Sequence, residues 1–193
     1  MKKINITLLV VLTLGMALSA CSTPPTEEMQ RAQDAVILAE SDADAVTYAG
    51  NTLVRARDAL TRMSSEADAK RYDAAKDFAA EAISYAERAI ADGKTGASRA
   101  KNEAESLLHS LGDTLAETST AVNSAQQVQN MALDFDALSQ DMDLARRTYD
   151  DAWQSLEGND FQDAAAKGQN VRSLLSGINA SITDAAQATS RKQ

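Results

Sequence analysis

Residues 45–67 read AVTYAGNTLVRARDALTRMSSEA, and their apolar side chains recur at alternating steps of three and four. The recurring positions are Val46, Ala49, Leu53, Ala56, Leu60, Met63 and Ala67. This spacing is the heptad pattern by which one helix lays an apolar seam along another, as in a coiled coil. The stretch therefore predicts a long amphipathic helix that packs along a neighbouring helix.

A second seam follows after a short polar turn at Asp68 to Arg71. The three-and-four stepping resumes at Tyr72, Ala75, Ala79, Ala82, Ala86 and Ala89. Two such helices joined by a short turn form an antiparallel helical hairpin. Because alanine buries little apolar area, the two helices must approach closely over a long distance.

The same pattern returns 89 residues later without a gap. The first repeated seam comprises Phe135, Leu138, Met142, Ala145, Tyr149, Ala152 and Leu156. After a turn at Glu157 to Asp160, the second comprises Phe161, Ala164, Gly168, Val171, Leu175, Ile178 and Ile182. We interpret this as an internal duplication of a helical hairpin, with convergence on a shared geometry as the alternative.

Residues 93–132 lie between the two copies. Gly93-Lys94-Thr95-Gly96 predicts a bend, although two glycines can also lie within a long helix at a cost of about 1 kcal/mol each. Helical spacing then continues through Leu108, Leu111, Leu115, Val122 and Ala125. The register slips near Asn130, where we expect a kink or a break.

A further helix is expected before the first hairpin. Thr26 can cap it, and Glu27 and Glu28 then lie in the first turn, where the helix dipole favours acidic side chains. We expect this helix to run from residue 27 to about 40. Residues 41–44 offer a break and a new cap.

The chain carries no proline between Thr26 and Gln193 and no long segment of period-two alternation,. The predicted fold class is therefore all-α: a long-helix bundle built from two similar antiparallel helical hairpins joined by a long helix. The sequence leaves open whether the hairpins pack side by side or extend as a rod. The predicted segments are a signal peptide over 1–20, a tether over 21–26, a first hairpin with its N-terminal helix over 27–93, and a connecting helix with the second hairpin over 94–193.

The N-terminus has the layout of a lipoprotein signal peptide. Lys2 and Lys3 precede an apolar run over 4–16, which is shorter than the roughly 20 residues of a spanning helix,. Leu18-Ser19-Ala20-Cys21 then reads as a lipobox, at which Cys21 becomes the lipidated N-terminus. An ordinary signal peptide beside an accidental cysteine is the alternative. Similar bacterial lipoproteins carry three acyl chains, palmitate among them, and Ser22 rather than aspartate after the cysteine favours the outer membrane.

Composition excludes several functional classes. The chain has 19 basic and 28 acidic side chains, and removing residues 1–20, which hold two lysines and no acid, leaves a net charge near −11. An acidic surface repels nucleic acid, so we expect no nucleic-acid partner. Cys21 is the only cysteine. Its lipidation would leave no thiol for disulfides, thiolate catalysis or metal binding.

Few residues are candidates for chemistry. His109 is the only histidine, and with Glu105 one turn earlier it cannot complete a common zinc ligand set,. The acidic run Asp134, Asp136, Asp141, Asp143, Asp150 and Asp151 is interpreted as a solvated helix face rather than a calcium loop. We therefore assign no catalytic residue, no metal site and no cofactor. Trp153, beside the seam residue Ala152, is either a packing residue or the aromatic anchor of a partner surface.

The first hairpin resembles a known family. Ala45-Val46-Thr47-Tyr48-Ala49, Leu53 to Leu60, Arg71 to Lys76 and Ala79 to Ala82 are similar to the alanine-rich helical hairpin of the domain-of-unknown-function family DUF4398, often found on small bacterial lipoproteins. The resemblance covers about 50 residues, with an echo over 133–181. It implies an envelope-associated helical hairpin, and it brings no catalytic residues.

The expected function is non-catalytic. We expect a lipoprotein anchored in the outer membrane, facing the periplasm, that acts as a structural or protein-interaction module of the cell envelope. Its partner would be an envelope protein or peptidoglycan, and self-association is a further option. One alternative is a helical bundle that binds a small apolar ligand or lipid in a cavity left by thin alanine seams. Another is a peptidoglycan tether attached through Lys192 near the C-terminus.

Overall fold

A computed structural model describes residues 23–129 and 131–191. In this part of the chain every regular element is a helix, which confirms the all-α class. The helices are α1 (Thr26–Ser41), α2 (Ala43–Tyr48), α3 (Gly50–Asp68), α4 (Tyr72–Gln126), α5 (Phe135–Glu157) and α6 (Phe161–Ser190). The predicted lipobox with Cys21, and Lys192, lie outside the described residues.

The chain divides into two compact units, one ending at Lys94 and one beginning at Thr95. Helix α4 runs without interruption through this boundary. Of the two possibilities for Gly93 to Gly96, the structure supports two glycines within one long helix. The long helix that joins the hairpins is the second arm of the first hairpin itself. The predicted break near Asn130 is confirmed, because the described residues on either side of it, 127–129 and 131–134, are not helical.

Close packing explains why a glycine lies at position 93. A Cβ atom added there would come within 2.5 Å of the backbone nitrogen of Ala45, at the start of α2. Real Cβ atoms essentially never approach that closely. Gly93 therefore lets α4 contact the backbone of α2 directly.

The core of the first unit is built mainly from alanine. Its buried members come from α1, α2, α3 and the first half of α4, and include Val36, Leu53 and Met63 as the larger side chains. The second predicted seam is confirmed from Ala75 to Ala89, since its five alanines, Ala75, Ala79, Ala82, Ala86 and Ala89, are almost completely buried. Helices α3 and α4 are antiparallel, since Arg55 lies over the Tyr85 ring and Arg62 over the Phe78 ring.

One seam position in this unit is wrong. Val46 was expected in the seam but is 52% exposed, and Ala45 is buried in its place. The helix breaks at Ala49, where Gly50, Asn51 and Thr52 follow in succession and all are weak helix formers,. The break resets the helical phase, so the residues before it present a different face from the one that uninterrupted heptad spacing predicts.

The second unit is a three-helix bundle of the later part of α4 with α5 and α6. His109 on α4 contacts Trp153 on α5, and Ser119, further along α4, accepts a hydrogen bond from Arg146, which is earlier on α5. Helix α5 therefore runs antiparallel to α4. Along the same helix, Leu107 packs over Gly168, while Thr118 accepts a hydrogen bond from Asn179 at 2.8 Å, so α6 runs parallel to α4. Thr118 is only 1% exposed. This buried polar pair fixes how far α6 can slide along α4.

Both hairpin turns use the same backbone geometry. Each first helix ends in a Schellman motif around a residue with positive φ, namely Lys70 (φ 58°) and Asn159 (φ 63°),. The Arg71 amide donates to the Glu66 carbonyl at 2.9 Å, and the Asp160 amide donates to the Ser155 carbonyl at 2.9 Å. These bonds are 89 residues apart, at the offset of the sequence repeat. The two similar hairpins predicted from the sequence are thus confirmed down to their turns.

Side chains stabilise the two turns differently. In the first turn, Arg71 forms an ion pair with Glu66, and its second nitrogen donates at 2.9 Å. Chiefly through this hydrogen bond, the guanidinium lowers the pKa of Glu66 below its ordinary value. In the second turn, Asp160 instead caps α6 by accepting from the Asp163 amide. The local sequence of each turn therefore determines whether an ion pair or a helix cap stabilises it.

Replacing Arg71 with glutamine should return the pKa of Glu66 toward its ordinary value of 4.5. A carboxyl whose pKa is lowered by folding stabilises the folded state above its unfolded pKa, and this contribution is lost as pH falls through the folded pKa. The variant should therefore lose stability at neutral pH and show less further loss on acidification. Carboxyl titration by NMR measures the shift, and Arg55→Gln, which lies away from Glu66, is the charge-matched control. An unchanged Glu66 pKa in Arg71→Gln would contradict this assignment.

Candidate functional site

Three aromatic side chains meet on the surface of the second unit. The His109 and Trp153 rings contact edge to face with centroids 5.2 Å apart, and Tyr149 meets Trp153 in the same way at 6.3 Å. The Tyr149 hydroxyl lies over Gly112, where an added Cβ would come within 2.9 Å of it. The structure thus brings the only histidine and the only tryptophan of the chain together, although they are 44 positions apart in sequence.

Trp153 is surrounded by aromatic side chains. Its side chain is half-buried, and two neighbouring rings hold it in place. Such edge-to-face pairs contribute about 0.5–1.5 kcal/mol beyond area burial. Trp153 on α5 therefore packs against His109 on α4. His109 is exposed, as expected for a surface histidine.

A polar cluster lies beside the second turn. Ser155 donates to Asp163 at 2.6 Å, and the Lys167 amine lies 2.8 Å from the Ser155 oxygen and 2.5 Å from Asp163. Asp163, through its hydrogen bond, is the main cause that raises the pKa of Lys167, and Lys167 in turn lowers the pKa of Asp163. A serine nucleophile activated by lysine needs a neutral amine. Here the amine stays protonated, so the cluster can close the turn but cannot remove the serine proton.

The acidic run at the start of α5 lies on the solvent side. All six of its aspartates are exposed. Asp134 caps α5 by accepting from the Ala137 amide, and Asp143 pairs with Arg146. Over residues 23–129 and 131–191, no three acidic, histidine or cysteine side chains converge closely enough to hold a metal ion.

The first unit exposes apolar side chains in a short stretch. Ile37 and Leu38 on α1 are each 62% exposed, and Val46 on α2 and Val54 on α3 are about half exposed. We refer to these four residues as the exposed apolar set. Val46 and Val54 line one open groove with Tyr48 at the break between α2 and α3. The heptad spacing assigns Val46 to the core, so the sequence does not predict this surface.

The exposed apolar set lies within a segment that matches a known family. Residues 27–105 match the family described as domain of unknown function DUF4398. This segment belongs to the DUF4398 family. The resemblance inferred from the first hairpin is thereby confirmed, and the match extends from α1 into the second unit along α4. Trp153 and the Ser155 cluster lie outside the DUF4398 segment.

No other comparison identifies the chain further. No curated protein matches it, and no solved structure matches it. None of the described helices combines the length and the apolar character that crossing a bilayer requires.

Proposed function

We propose that this protein is a lipoprotein of the outer membrane, held through Cys21 and facing the periplasm, whose DUF4398 segment binds another envelope protein without catalysing a reaction. The exposed apolar set carries this proposal. Six large apolar side chains are exposed among the described residues, and four of them lie between positions 37 and 54. Contiguous exposed apolar patches are typical of protein-interaction surfaces, whereas single exposed residues are ordinary, and Val46 and Val54 lie together on one groove,.

The position of the anchor supports the same proposal. Only residues 22–25 separate Cys21 from the start of α1 at Thr26, and two of them are prolines. Such a short tether limits how far the first unit can move from a membrane that holds the lipid. A partner embedded in or attached to that membrane would meet the exposed apolar set at a high effective concentration.

Core packing and charge support a non-catalytic role. Ala82, Ala86 and Ala89 have no exposed area, so no water-sized void adjoins the alanine seam,. This close packing favours a binding surface over the alternative of an apolar ligand inside the bundle. The raised pKa of Lys167 and the lowered pKa of Asp163 likewise make both groups poor bases for Ser155,.

Site-specific photo-crosslinking in intact cells tests the proposal. A photoreactive amino acid at Leu38 or at Val46 should yield a discrete adduct with an envelope protein, identified by mass spectrometry. The same amino acid at Asp77, an exposed polar position on α4, is the matched control and should yield none. Leu38→Asp should lower the Val46 adduct by about tenfold, because it places a charge in the interface without disturbing the core.

Two results would contradict the proposal. One is an equal adduct yield at Asp77, which would show that the crosslinks are non-specific. The other is the lack of any discrete adduct from all four members of the exposed apolar set.

A further inference from the structure

The second unit contains a polar groove that the interaction surface does not use. One wall is a stripe along α4 at helical spacing, and Arg172 on α6 forms the opposite side. Its lining residues are Thr95, Ser98, Arg99, Asn102, Glu103, Ser106, Leu107, Ser110 and Arg172. The groove holds about 680 Å³. That volume lies within the range of roughly 300–1,000 Å³ for small-molecule sites.

Helix packing places the two arginines on one groove. Gly168 lets α6 approach α4 so closely that an added Cβ would meet Leu107 at 2.8 Å. Arg172 lies one helical turn after Gly168, so the same contact brings its side chain to α4. Leu107 is a lining residue of the groove and is buried. The groove therefore depends on a contact between residues 61 positions apart in the chain.

The charges of the groove differ from those of the rest of the unit. Within 23–129 and 131–191, neither Arg99 nor Arg172 forms an ion pair with a carboxylate, and Arg172 only donates to Gln169 at 3.2 Å. Lys101, Arg146 and Lys167 in the same unit each have an acidic partner, whereas Arg147 on α5, like the two groove arginines, has none among the described residues. Two uncompensated guanidinium groups with one carboxylate, Glu103, give the groove a net positive charge on an acidic chain.

A net positive groove favours an anionic ligand, and the neighbouring side chains indicate which other groups that ligand would carry. Ser98, Ser106 and Ser110 supply hydroxyls, and Asn102 supplies an amide. Hydroxyls and amides can both donate and accept hydrogen bonds, which suits a ligand with several hydroxyl groups. Guanidinium groups bind carboxylate or phosphate through paired hydrogen bonds.

We propose that this groove binds an acidic saccharide, with Arg99 and Arg172 pairing with its carboxylate or phosphate and the serines and Asn102 binding its hydroxyl and amide groups. The proposal does not depend on lipid attachment or on the exposed apolar set. The second unit would bind this ligand independently of any partner of the first unit.

Isothermal titration calorimetry on the purified full-length protein tests this proposal with three probes. N-acetylmuramic acid carries a carboxylate, N-acetylglucosamine 6-phosphate carries a phosphate, and N-acetylglucosamine is neutral. At least one charged probe should bind, and the neutral probe should bind at least tenfold more weakly, because charge-assisted hydrogen bonds carry the recognition. The charged probe that binds more tightly shows whether the groove prefers a carboxylate or a phosphate.

Matched variants locate the binding. Arg99→Gln and Arg172→Gln should each weaken binding of the preferred probe by about tenfold or more. Arg147→Gln makes the same charge change at another exposed arginine of the unit and should alter binding by less than twofold. Thermal unfolding should be the same in all three variants, since each side chain is exposed,.

The proposal is overturned if neither charged probe binds, or if the neutral probe binds as tightly as they do. It is equally overturned if Arg147→Gln weakens binding as much as the two groove variants, because the attraction would then be non-specific.

Discussion

Gly93→Ala should destabilise the first unit by about 1–3 kcal/mol, the usual cost of overpacking a closely packed contact. The added Cβ would meet the backbone of Ala45 and Asp44 at 2.5–2.7 Å. Backbone atoms cannot rotate away as the end of a side chain can, so α2 and α4 must separate. Separation weakens the alanine seam over its length, because alanine contacts are lost as soon as the helices move apart.

Hydrogen exchange measured residue by residue is the appropriate test, since a chain of two units need not unfold in one step. Protection should fall in α2 and the first half of α4. Gly50→Ala is the control in the same unit, because an added Cβ there meets nothing within 4 Å. It should be neutral or stabilising by up to about 1 kcal/mol. Equal stability of the two variants would show that the close approach at Gly93 does not matter.

Cys21→Ala, expressed behind an ordinary cleavable signal peptide in place of residues 1–20, should move nearly all of the protein from the membrane fraction to the soluble periplasmic fraction. Each buried CH₂ of an acyl chain contributes about 0.8 kcal/mol, so several chains hold a protein effectively permanently and their loss releases it. None of the described helices can replace the anchor by spanning the membrane. Fractionation followed by immunoblotting measures the change, and mass spectrometry of the wild-type N-terminus measures the lipid.

Ser22→Asp is the informative companion variant. It leaves the cysteine in place and should keep the protein on membranes, but shift it from the outer to the inner membrane in density-gradient fractions. Membrane binding that survives Cys21→Ala would contradict lipid anchoring at this residue. The exposed apolar set would then be the first region to examine for direct membrane contact.

Much of the local structure could be predicted because it depends on neighbours in the chain. The three-and-four spacing placed Ala75 to Ala89 and most of the 138–178 seam correctly in the core. The turns after Asp68 and Glu157 followed from polar residues that end one helix and start another. Turn hydrogen bonds connect residues only three to five positions apart, so the same local pattern produces the same turn in both copies,.

The candidate sites could be predicted only in part. Trp153 was singled out, but its contacts with His109 and Tyr149 join two helices and have no local signature. Arg99 and Arg172 lie 73 positions apart, and nothing in the spacing of either helix indicates that they line one groove. The exposed apolar set was missed because Val46 fits the heptad pattern.

The sequence by itself therefore determined the helical class, the hairpins and their turns, because periodicity and turn chemistry act within a few residues. Only the tertiary structure decided that Gly93 contacts the backbone of α2, that Val46 faces solvent, and that Asn179 donates to the buried Thr118. These features depend on which helix faces which and at what distance. A repeating apolar pattern defines the face that a helix buries, but not the partner, the phase after a break or the polar residues that the packing brings together.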